Sequence, residues 1–367
     1  MERALAQSGH RGGAIASSRP IRVMLVDDSA IARAVLARMI ETDPNFKVVA
    51  VAGTAEDAID SLQSVQVDTV VLDLQMPGAG GLALIPKIIE AANGARVMIV
   101  SSLAEEGAEQ TIAALAHGAA DAIPKPGTGR FNGRFSQVLL ERLKALGYAD
   151  EAEPLPQPIK LQGFAPLRAM PADPIGVLAI GASTGGIHAL TALFKALPPR
   201  LDVPILVTQH LPVPFMTVFA RQLTVASGRE VVVASDGVAL LPDRILMAPG
   251  DAHLTVEPSG GGHAVRLTRE RVRSGCMPSL DPMLASVGAH FGARGLGVVL
   301  TGMGRDGVDG ASRLIACGGS VLAQDEASSA VWGMPRAIVE AGLACAVMPP
   351  EKIARRIASR SGDGACR

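Results

Sequence analysis

The sequence predicts two α/β domains in succession, each built on a mostly parallel, doubly wound sheet. Short runs that are almost wholly apolar, such as IRVMLV at 21–26 and VLAIGA at 177–182, alternate with longer amphipathic stretches. Apolar strands that are each followed by a helix indicate a parallel sheet covered on both faces. At roughly 100–200 residues per domain, the 367 residues are enough for two such units.

The first series of elements spans residues 21–146. Five segments predict strands, namely IRVMLVDD, FKVVAVAGT, TVVLDLQMP, RVMIVSS and a short one within DAIPKP. Amphipathic stretches between them predict helices, and RFSQVLLERLKALG predicts a closing helix. The residues before this series, 1–20, are rich in Ala, Gly and Ser and predict a flexible tail.

Residues 147–173 are rich in Pro, carry mixed charge and lack periodicity, which predicts an interdomain linker. A second strand-and-helix series then covers residues 174–362. Its predicted strands lie in GVLAIGAS, VPILVTQH, EVVVAS, RILMAPG and LGVVLTGMG, with a hairpin or irregular insert expected around His253 to Leu267.

Composition argues against several classes of function. The net charge of −1 gives no general attraction to polyanions, and 3% aromatic residues supply few stacking surfaces for single-stranded nucleic acid. The four cysteines include no C-x-x-C pair, which argues against a structural zinc site or a disulfide framework and favours a reducing cytoplasm. No run of eighteen apolar residues occurs, so we expect neither membrane insertion nor a signal peptide.

Polar residues follow four strands of the first series. Asp27 and Asp28 end the first strand, Asp73 the third, Ser101 the fourth and Lys125 the fifth. The carboxyl ends of parallel strands share one edge, so these side chains should converge there. One Asp at a strand end is usually a helix cap or a solvated turn. Five matching positions instead predict a Mg²⁺ site at which Asp73 accepts a phosphoryl group.

At these residues the segment resembles a response-regulator receiver domain of flavodoxin-like fold, over about residues 21–146. The resemblance implies that Asp73 is the phosphoacceptor and that Asp27, Asp28 and Asp73 bind Mg²⁺. Ser101 becomes the switch hydroxyl and Lys125 the characteristic lysine. Two departures stand out: Ala122 occupies the position where receivers often carry an aromatic switch residue, and GAGG at 78–81 lacks a common acidic residue.

The run VLAIGASTGGIHALTALFKAL predicts a strand, a tight turn and a helix, with Ser183 at the turn. Gly181, Gly185 and Gly186 allow a sharp bend that leaves the hydroxyl at a helix N-terminus. The turn resembles the nucleophile elbow of serine hydrolases, although G-x-S-x-G is replaced by GASTGG. A phosphate-binding loop is the alternative, but G-x-G-x-x-G and G-K-[ST] are both absent.

A nucleophilic serine requires a base and a group that orients the base. His210 ends the strand in VPILVTQ and should emerge at the same sheet edge as Ser183, so we favour it as the base. His253, in APGDAHL, begins an irregular region and is interpreted as a structural or supporting residue.

The orienting carboxylate should also follow a strand. Asp306 comes first after the strand in LGVVLTGMG, whereas the nearby competitor Asp309 is interpreted as helix-start electrostatics. The backbone N–H of Met303 in the same loop is a candidate oxyanion hole. Thr184, beside the nucleophile, is expected to support it without contacting substrate.

Across nearly the whole chain after residue 20, the order of segments resembles the protein-glutamate methylesterases of bacterial chemotaxis, the CheB family. The matching motifs are GASTGG, TQH, APGDAHL, PSLD, TGMGRDG and WGMPRA. The resemblance implies hydrolysis of γ-glutamyl methyl esters on chemoreceptors and deamidation of certain receptor glutamines. It also implies a chemotaxis histidine kinase as phosphodonor, a cytoplasmic location and no cofactor at the hydrolase site.

Three alternative functions were weighed. A DNA-binding response regulator requires a compact helical reader, whereas the C-terminal half alternates strands and helices. In general α/β-hydrolases the acid precedes the histidine, but here the order is Ser, His, Asp. A methylesterase of the same family that serves a non-chemotactic receptor array would have the same residues and stays open.

Overall fold

A computed structural model describes residues 19–76, 81–101, 105–125, 133–147 and 166–361 of the chain. Most of the predicted tail, the first part of the linker and most of the GAGG segment therefore lie outside the described residues. In the part that is described, no helix combines the length and the apolar character needed to cross a membrane.

The first domain contains a five-stranded parallel sheet in the order β2-β1-β3-β4-β5. Ser29 and Thr54 cap the first two helices by accepting hydrogen bonds from backbone N–H groups of the first turn. The strands are β1 Ile21–Val26, β2 Phe46–Ala52, β3 Thr69–Leu72, β4 Arg96–Ser101 and β5 Asp121–Pro124. The helices are α1 Ala30–Ile40, α2 Ala55–Leu62, α3 Gly81–Ala91, α4 Glu105–Ala116 and α5 Gly133–Gly147.

The second domain contains a seven-stranded sheet in the order β14-β13-β12-β6-β7-β9-β8, whose paired strands are parallel. A separate antiparallel hairpin occupies the predicted insert and consists of β10 His253–Ser259 and β11 Gly262–Thr268. The other strands are β6 Val177–Ala182, β7 Ile205–Gln209, β8 Val231–Val233, β9 Ile245–Met247, β12 Gly295–Val299, β13 Ser320–Gln324 and β14 Ala346–Met348.

Helices cover the second sheet, and their buried faces fill the core. The largest fully buried side chains of the domain, Phe194, Phe215 and Phe219, lie on two of these helices. The helices are α6 Gly186–Ala196, α7 Val213–Ser227, α8 Leu280–Phe291, α9 Val308–Ala316, α10 Met334–Glu340 and α11 Pro350–Ala358. The predicted pair of mostly parallel α/β domains is confirmed, although the sequence pattern had not singled out β13 and β14.

The last residues of the predicted linker lie on the second domain. The Arg168 N–H donates to the Ala344 carbonyl at 2.9 Å, and the Arg360 guanidinium donates to the carbonyls of Met170 and Ala172. Backbone atoms of Arg168, Met170 and Ala172 therefore hold this segment to the second domain, which the absence of periodicity had not predicted.

The two domains pack against each other through α4, which contacts α6 and α7. At the surface, the Arg221 guanidinium and the Glu109 carboxylate form an ion pair of 3.0 Å across the boundary. This packing turns the carboxyl edge of the second sheet towards the first domain.

Candidate active site

Ser183 lies in the turn between β6 and α6. Its N–H donates to the Thr301 carbonyl at 3.0 Å, and Gly185, with φ of +76°, supplies the left-handed residue that the bend requires before α6 begins. The side chain is buried, at 5% exposure. The predicted elbow geometry is present, and the hydroxyl lies at the carboxyl edge of the sheet.

His210 follows β7, the neighbouring strand. Its backbone N–H donates to the carbonyl of Ala182, the residue before Ser183, at 3.0 Å. The ring donates its Nε2–H to Asp306 Oδ2 at 2.9 Å, because a carboxylate can only accept. Nδ1 is thus the ring nitrogen free to act as a base. Within the described residues no hydrogen bond joins the side chains of Ser183 and His210, but both line one cavity.

Asp306 is buried behind His210. The Ser279 hydroxyl donates to Oδ1 at 2.5 Å, and the Leu280 N–H donates to Oδ2 at 2.7 Å. Burial by itself would raise the pKa of this carboxyl. The hydrogen bond and charge of His210, together with the hydrogen bonds from Leu280 and Ser279, outweigh burial and lower the pKa to about 2. Asp306 is therefore an ionised, fixed partner for the imidazole.

His253 fixes the position of the Ser279–Leu280 segment, which in turn binds Asp306. The ring is fully buried; its Nδ1 accepts the Ser279 N–H at 2.8 Å, and its Nε2–H donates to the Glu270 carbonyl at 2.9 Å. The structure thus places His253 in a supporting position, not beside Ser183. Sequence reasoning missed the contacts of Ser279 and Leu280 with Asp306, although both belong to the PSLD motif.

Two further carboxyl groups lie near Asp306. Asp281 accepts the Gly310 N–H at 2.7 Å, and its pKa is raised to about 6 by burial and by the charges of Asp306 and Asp309. Asp309 itself is exposed in the first turn of α9, the position that its helix-start interpretation expects. Of these carboxylates, it is Asp306 that accepts the hydrogen bond from His210 Nε2–H.

Cys276 is a neighbour of the pair that sequence reasoning did not connect with the site. Its sulfur, a ring nitrogen of His210 and a carboxylate oxygen of Asp306 all lie within 4.8 Å of one another. Burial and the charge of Asp306 raise the pKa of the Cys276 thiol. The thiol therefore stays protonated near neutral pH, which disfavours it as a nucleophile.

The loop that carries the candidate oxyanion hole passes directly beside Ser183. A Cβ added to Gly302 would lie 2.6 Å from the Ser183 Cβ, so only glycine permits this approach. The Gly302 N–H is engaged by the Val331 carbonyl. Among the described residues the Met303 N–H has no acceptor, which leaves it available to a developing oxyanion.

A cavity of about 420 Å³ lies between the two domains at this edge. The second domain contributes Ser183 and His210, and the first contributes residues of α4, β5 and α5, including Ala122. The first domain therefore covers the face through which a protein substrate would reach Ser183.

Thr184 contacts the first domain. Its hydroxyl donates to Asp121 Oδ2 at 2.8 Å and accepts from Arg142 Nη1 at 2.8 Å, while Arg142 and Asp121 also form an ion pair of 2.8 Å. The next N–H, of Gly185, donates to the Ala120 carbonyl at 2.7 Å. Thr184 was expected to support the nucleophile without contacting substrate. Its side chain joins the two domains one residue away from Ser183.

The acidic edge of the first sheet assembles as its strand positions predict. Ligand oxygens of Asp27, Asp28 and Asp73 lie within 4.8 Å of one another. Lys125 Nζ donates to Asp27 Oδ2 at 2.9 Å and to Asp73 Oδ2 at 2.7 Å. The Ser101 hydroxyl is buried and has no hydrogen-bond partner in the described structure. An unpartnered buried donor next to carboxylates suits a group that brings its own oxygens.

The charges at this edge favour a cation in addition to Lys125. Burial raises the pKa of Asp73 by more than the Lys125 ammonium lowers it. Burial also acts to lower the pKa of Lys125, but the carboxylates of Asp73 and Asp27 outweigh it and raise that pKa. Three carboxylates facing one ammonium can therefore accept an additional divalent charge.

Comparison with known proteins shows the same division of the chain. Residues 23–130 match the family described as response regulator receiver domain, and residues 178–357 match CheB methylesterase. A protein-glutamate methylesterase/protein-glutamine glutaminase of Azospirillum brasilense is 38% identical over 97% of both chains. One from Caulobacter vibrioides is 40% identical over 93% of this chain and 99% of its own.

Among solved structures, the Thermotoga maritima CheB methylesterase catalytic domain is 33% identical, covers 50% of this chain and 98% of its own, and has a TM-score of 0.49. A receiver domain followed by a domain that matches the CheB methylesterase family defines a response regulator with an enzymatic output. The chain belongs to the protein-glutamate methylesterase/protein-glutamine glutaminase family, CheB, which confirms the predicted family.

Proposed function

We propose that this protein is a phosphorylation-regulated hydrolase that removes methyl groups from glutamate γ-methyl esters of chemoreceptors and deamidates specific receptor glutamines. The observation that carries the proposal is the hydrogen bond of 2.9 Å between His210 and Asp306 at the sheet edge that also holds Ser183. The curated relatives are named for these two activities.

In the first half of the reaction, Ser183 Oγ attacks the ester carbonyl and its proton passes to His210 Nδ1. Asp306 fixes the ring through Nε2–H and stabilises the imidazolium that forms. The Met303 N–H donates to the oxyanion of the tetrahedral intermediate. Collapse of this intermediate transfers the proton to the departing methoxide, releases methanol and leaves a glutamyl ester on Ser183.

In the second half, His210 Nδ1 removes a proton from water as the water attacks the glutamyl ester. The proton then returns to Ser183 Oγ and the glutamate carboxylate is released. Deamidation follows the same route with ammonia as the leaving group. The hydrolase site needs no cofactor for either reaction.

Asp73 is the proposed phosphoacceptor. Asp27, Asp28 and Asp73 would hold Mg²⁺, which supplies charge neutralisation for the incoming phosphoryl group. Lys125 Nζ remains as a fixed positive charge beside Asp73, and the free hydroxyl of Ser101 can donate to a phosphoryl oxygen. The proposed phosphodonor is a chemotaxis histidine kinase.

Regulation follows from the covered cavity. Strand β5 connects the two sites, because Lys125 follows it at one end and Asp121, which binds Thr184, begins it at the other. A phosphoryl group on Asp73 attracts the Lys125 ammonium and so changes the position of β5. This shifts the population towards arrangements in which β5 no longer binds Thr184 and Gly185. The small Ala122 implies that this shift does not depend on an aromatic side chain there.

The proposed partners are methyl-accepting chemoreceptors as substrate and the kinase as phosphodonor, without nucleic acid and without membrane insertion. The cytoplasmic location is part of this proposal, because both partners would meet the protein through their cytoplasmic parts.

The direct test is release of methanol from methyl-labelled cytoplasmic fragments of chemoreceptors. We expect the wild-type protein to release it, and Ser183→Ala to lose activity by about 10³-fold or more. An unfolding temperature equal to that of the wild-type protein serves as the folding control for the variant. Turnover near the wild-type rate in folded Ser183→Ala would show that another residue is the nucleophile.

A further inference from the structure

Two residues of the proposed triad belong to a set of possible metal ligands whose third member, Cys276, has no part in ester hydrolysis. The Cys276 sulfur is within 4.8 Å of ligand atoms of both His210 and Asp306. These are one sulfur, one imidazole nitrogen and one carboxylate oxygen, each from a different segment of the second domain. The acidic edge of the first domain offers carboxylate oxygens instead.

We propose that Cys276, His210 and Asp306 form a binding site for a thiophilic divalent cation, with Zn²⁺ as the best match, and that the bound ion inhibits the hydrolase. Thiolate, imidazole and carboxylate are the ligands that Zn²⁺ takes in proteins, whereas Mg²⁺ prefers oxygen alone. Three protein ligands leave one position of a tetrahedral ion for water.

The geometry is close to what the ion requires. Zinc–ligand distances of about 2.0–2.3 Å place ligand atoms roughly 3.3–3.8 Å apart. The contact of 2.9 Å between His210 Nε2 and Asp306 Oδ2 must therefore widen slightly, and the sulfur, which lies within 4.8 Å of both ligand atoms, can reach the ion by a shift of about 1.5 Å or less. The preceding residue, Gly275, has φ of +71° and no atom within 4 Å of an added Cβ, so the loop has room for this shift.

Charge and access also favour a cation. Asp306 is ionised and buried, and the Asp281 carboxyl is close enough to interact with it. His210 and Cys276 are only partly buried, and the next residue, Met277, is exposed. An ion can thus enter from the side opposite the buried carboxylate without unfolding the domain.

Binding would alter the protonation of the base. Cys276 loses its proton to solvent as the sulfur bonds to the ion, and His210 coordinates through Nε2 in the tautomer that carries its proton on Nδ1. Nδ1 can then no longer accept the Ser183 proton. This inhibitory step rests on the proposed function, whereas the metal site itself does not.

The site is tested on the full-length protein with Co²⁺ as a spectroscopic substitute for Zn²⁺. Excess Mg²⁺ occupies the acidic edge of the first domain, and a phosphine reductant keeps thiols reduced without adding one. We expect one Co²⁺ per chain with a near-ultraviolet thiolate-to-cobalt band that Zn²⁺ displaces. Cys276→Ala should lack the band, and Cys317→Ala, which removes an exposed cysteine, should retain it.

Affinity and activity complete the test. In competition with a chromophoric chelator, Cys276→Ala should bind Zn²⁺ at least about tenfold more weakly than wild type. Stoichiometric Zn²⁺ should lower wild-type methanol release about tenfold or more, reversibly on chelation, while leaving Cys276→Ala within about twofold of its own metal-free rate. Cys276→Ser, which preserves side-chain size, guards against a folding defect.

The possible outcomes distinguish the metal site from its inhibitory role. An absent band in wild type, or an equal band in Cys276→Ala, would overturn the metal site. A cobalt band without inhibition would overturn the inhibitory role and count against Nδ1 of His210 as the base, while the metal site would stand.

Discussion

Arg142 of the receiver domain and Thr184 of the catalytic domain share a hydrogen bond of 2.8 Å, one residue away from Ser183. The same guanidinium forms an ion pair with Asp121, which also accepts a hydrogen bond from the Thr184 hydroxyl. The nucleophile elbow is therefore tied directly to the strand that leads to Lys125. In the proposed mechanism, this contact would let the receiver both cover the site and respond to phosphorylation of Asp73.

Arg142→Ala should raise the activity of the unphosphorylated full-length protein. It removes a charged hydrogen bond and an ion pair across the boundary, and a loss of about 1.4 kcal/mol shifts the covered-to-open equilibrium tenfold. We expect a rise of several-fold in methanol release, with a smaller further rise on phosphorylation. Lys144→Ala is the matched control, because Lys144 lies on the same helix but pairs with Asp43 inside the receiver. Equal resting rates for the two variants would count against the contact as a restraint.

A catalytic fragment should be more active than the resting full-length chain, because it lacks the cover. The fragment is best begun at Pro166, since backbone atoms of Arg168 and Ala172 form hydrogen bonds with the catalytic domain. One begun at Pro174 loses these bonds and should melt at a lower temperature. Methanol release is compared for both fragments and for the full-length chain with and without phosphodonor. Equal rates for the Pro166 fragment and the resting chain would reject the covering mechanism.

Asp306→Asn should lower turnover by about 10³–10⁴-fold, because an amide can present a donor to His210 and favour the wrong tautomer. Asp309→Asn is the matched control. It changes a neighbouring carboxylate in the same way but lies exposed on α9, so its rate should stay within about twofold of wild type. If Asp309→Asn were the more damaging of the two, the assignment of the orienting carboxylate would be reversed.

Asp73→Asn should abolish incorporation of label from a small phosphodonor, and removal of divalent metal should do the same. Asn keeps the size of the side chain but cannot form the acyl phosphate. Asp60→Asn, at an exposed position on α2, should label like wild type. Label that persists in Asp73→Asn would place the phosphoacceptor elsewhere.

Asp281→Asn should stabilise the protein at pH 8 and have little effect near pH 4. The pKa of Asp281 is raised from 3.8 to about 6, so the folded state holds this proton more tightly than the unfolded chain does. The favourable contribution of Asp281 to the free energy of unfolding is fully present below about pH 4 and is lost as the pH rises through about 6. The amide removes that loss and can still accept the Gly310 N–H.

We expect a gain on the order of 1 kcal/mol at pH 8, allowing for partial exposure of Asp281 to solvent. Chemical denaturation at the two pH values measures it. A destabilised variant at pH 8 would mean that the charged carboxylate contributes a favourable interaction instead.

Local pattern was sufficient for most of the strands and for the polar residues at their ends. Apolar runs fix which segments enter a parallel sheet, and parallel strands deliver their next residues to one edge. For that reason Ser183, His210 and Asp306 could be grouped before any distance was known, as could Asp27, Asp73 and Lys125. Strands β13 and β14 were not singled out, although the equally short β8 and β9 were, so length alone does not explain the omission.

Contacts between segments distant in sequence were decided only by the tertiary structure. No pattern in the chain indicates that His253 supports Ser279, that Cys276 approaches His210, or that Thr184 bonds to Arg142. Which nitrogen of His210 faces Asp306 was equally unavailable, since it depends on the ring orientation that neighbouring segments impose. The sequence by itself determined which residues reach each sheet edge, because strand direction and side-chain type are local properties. Packing decided what those residues touch, because each contact depends on the relative position of whole elements.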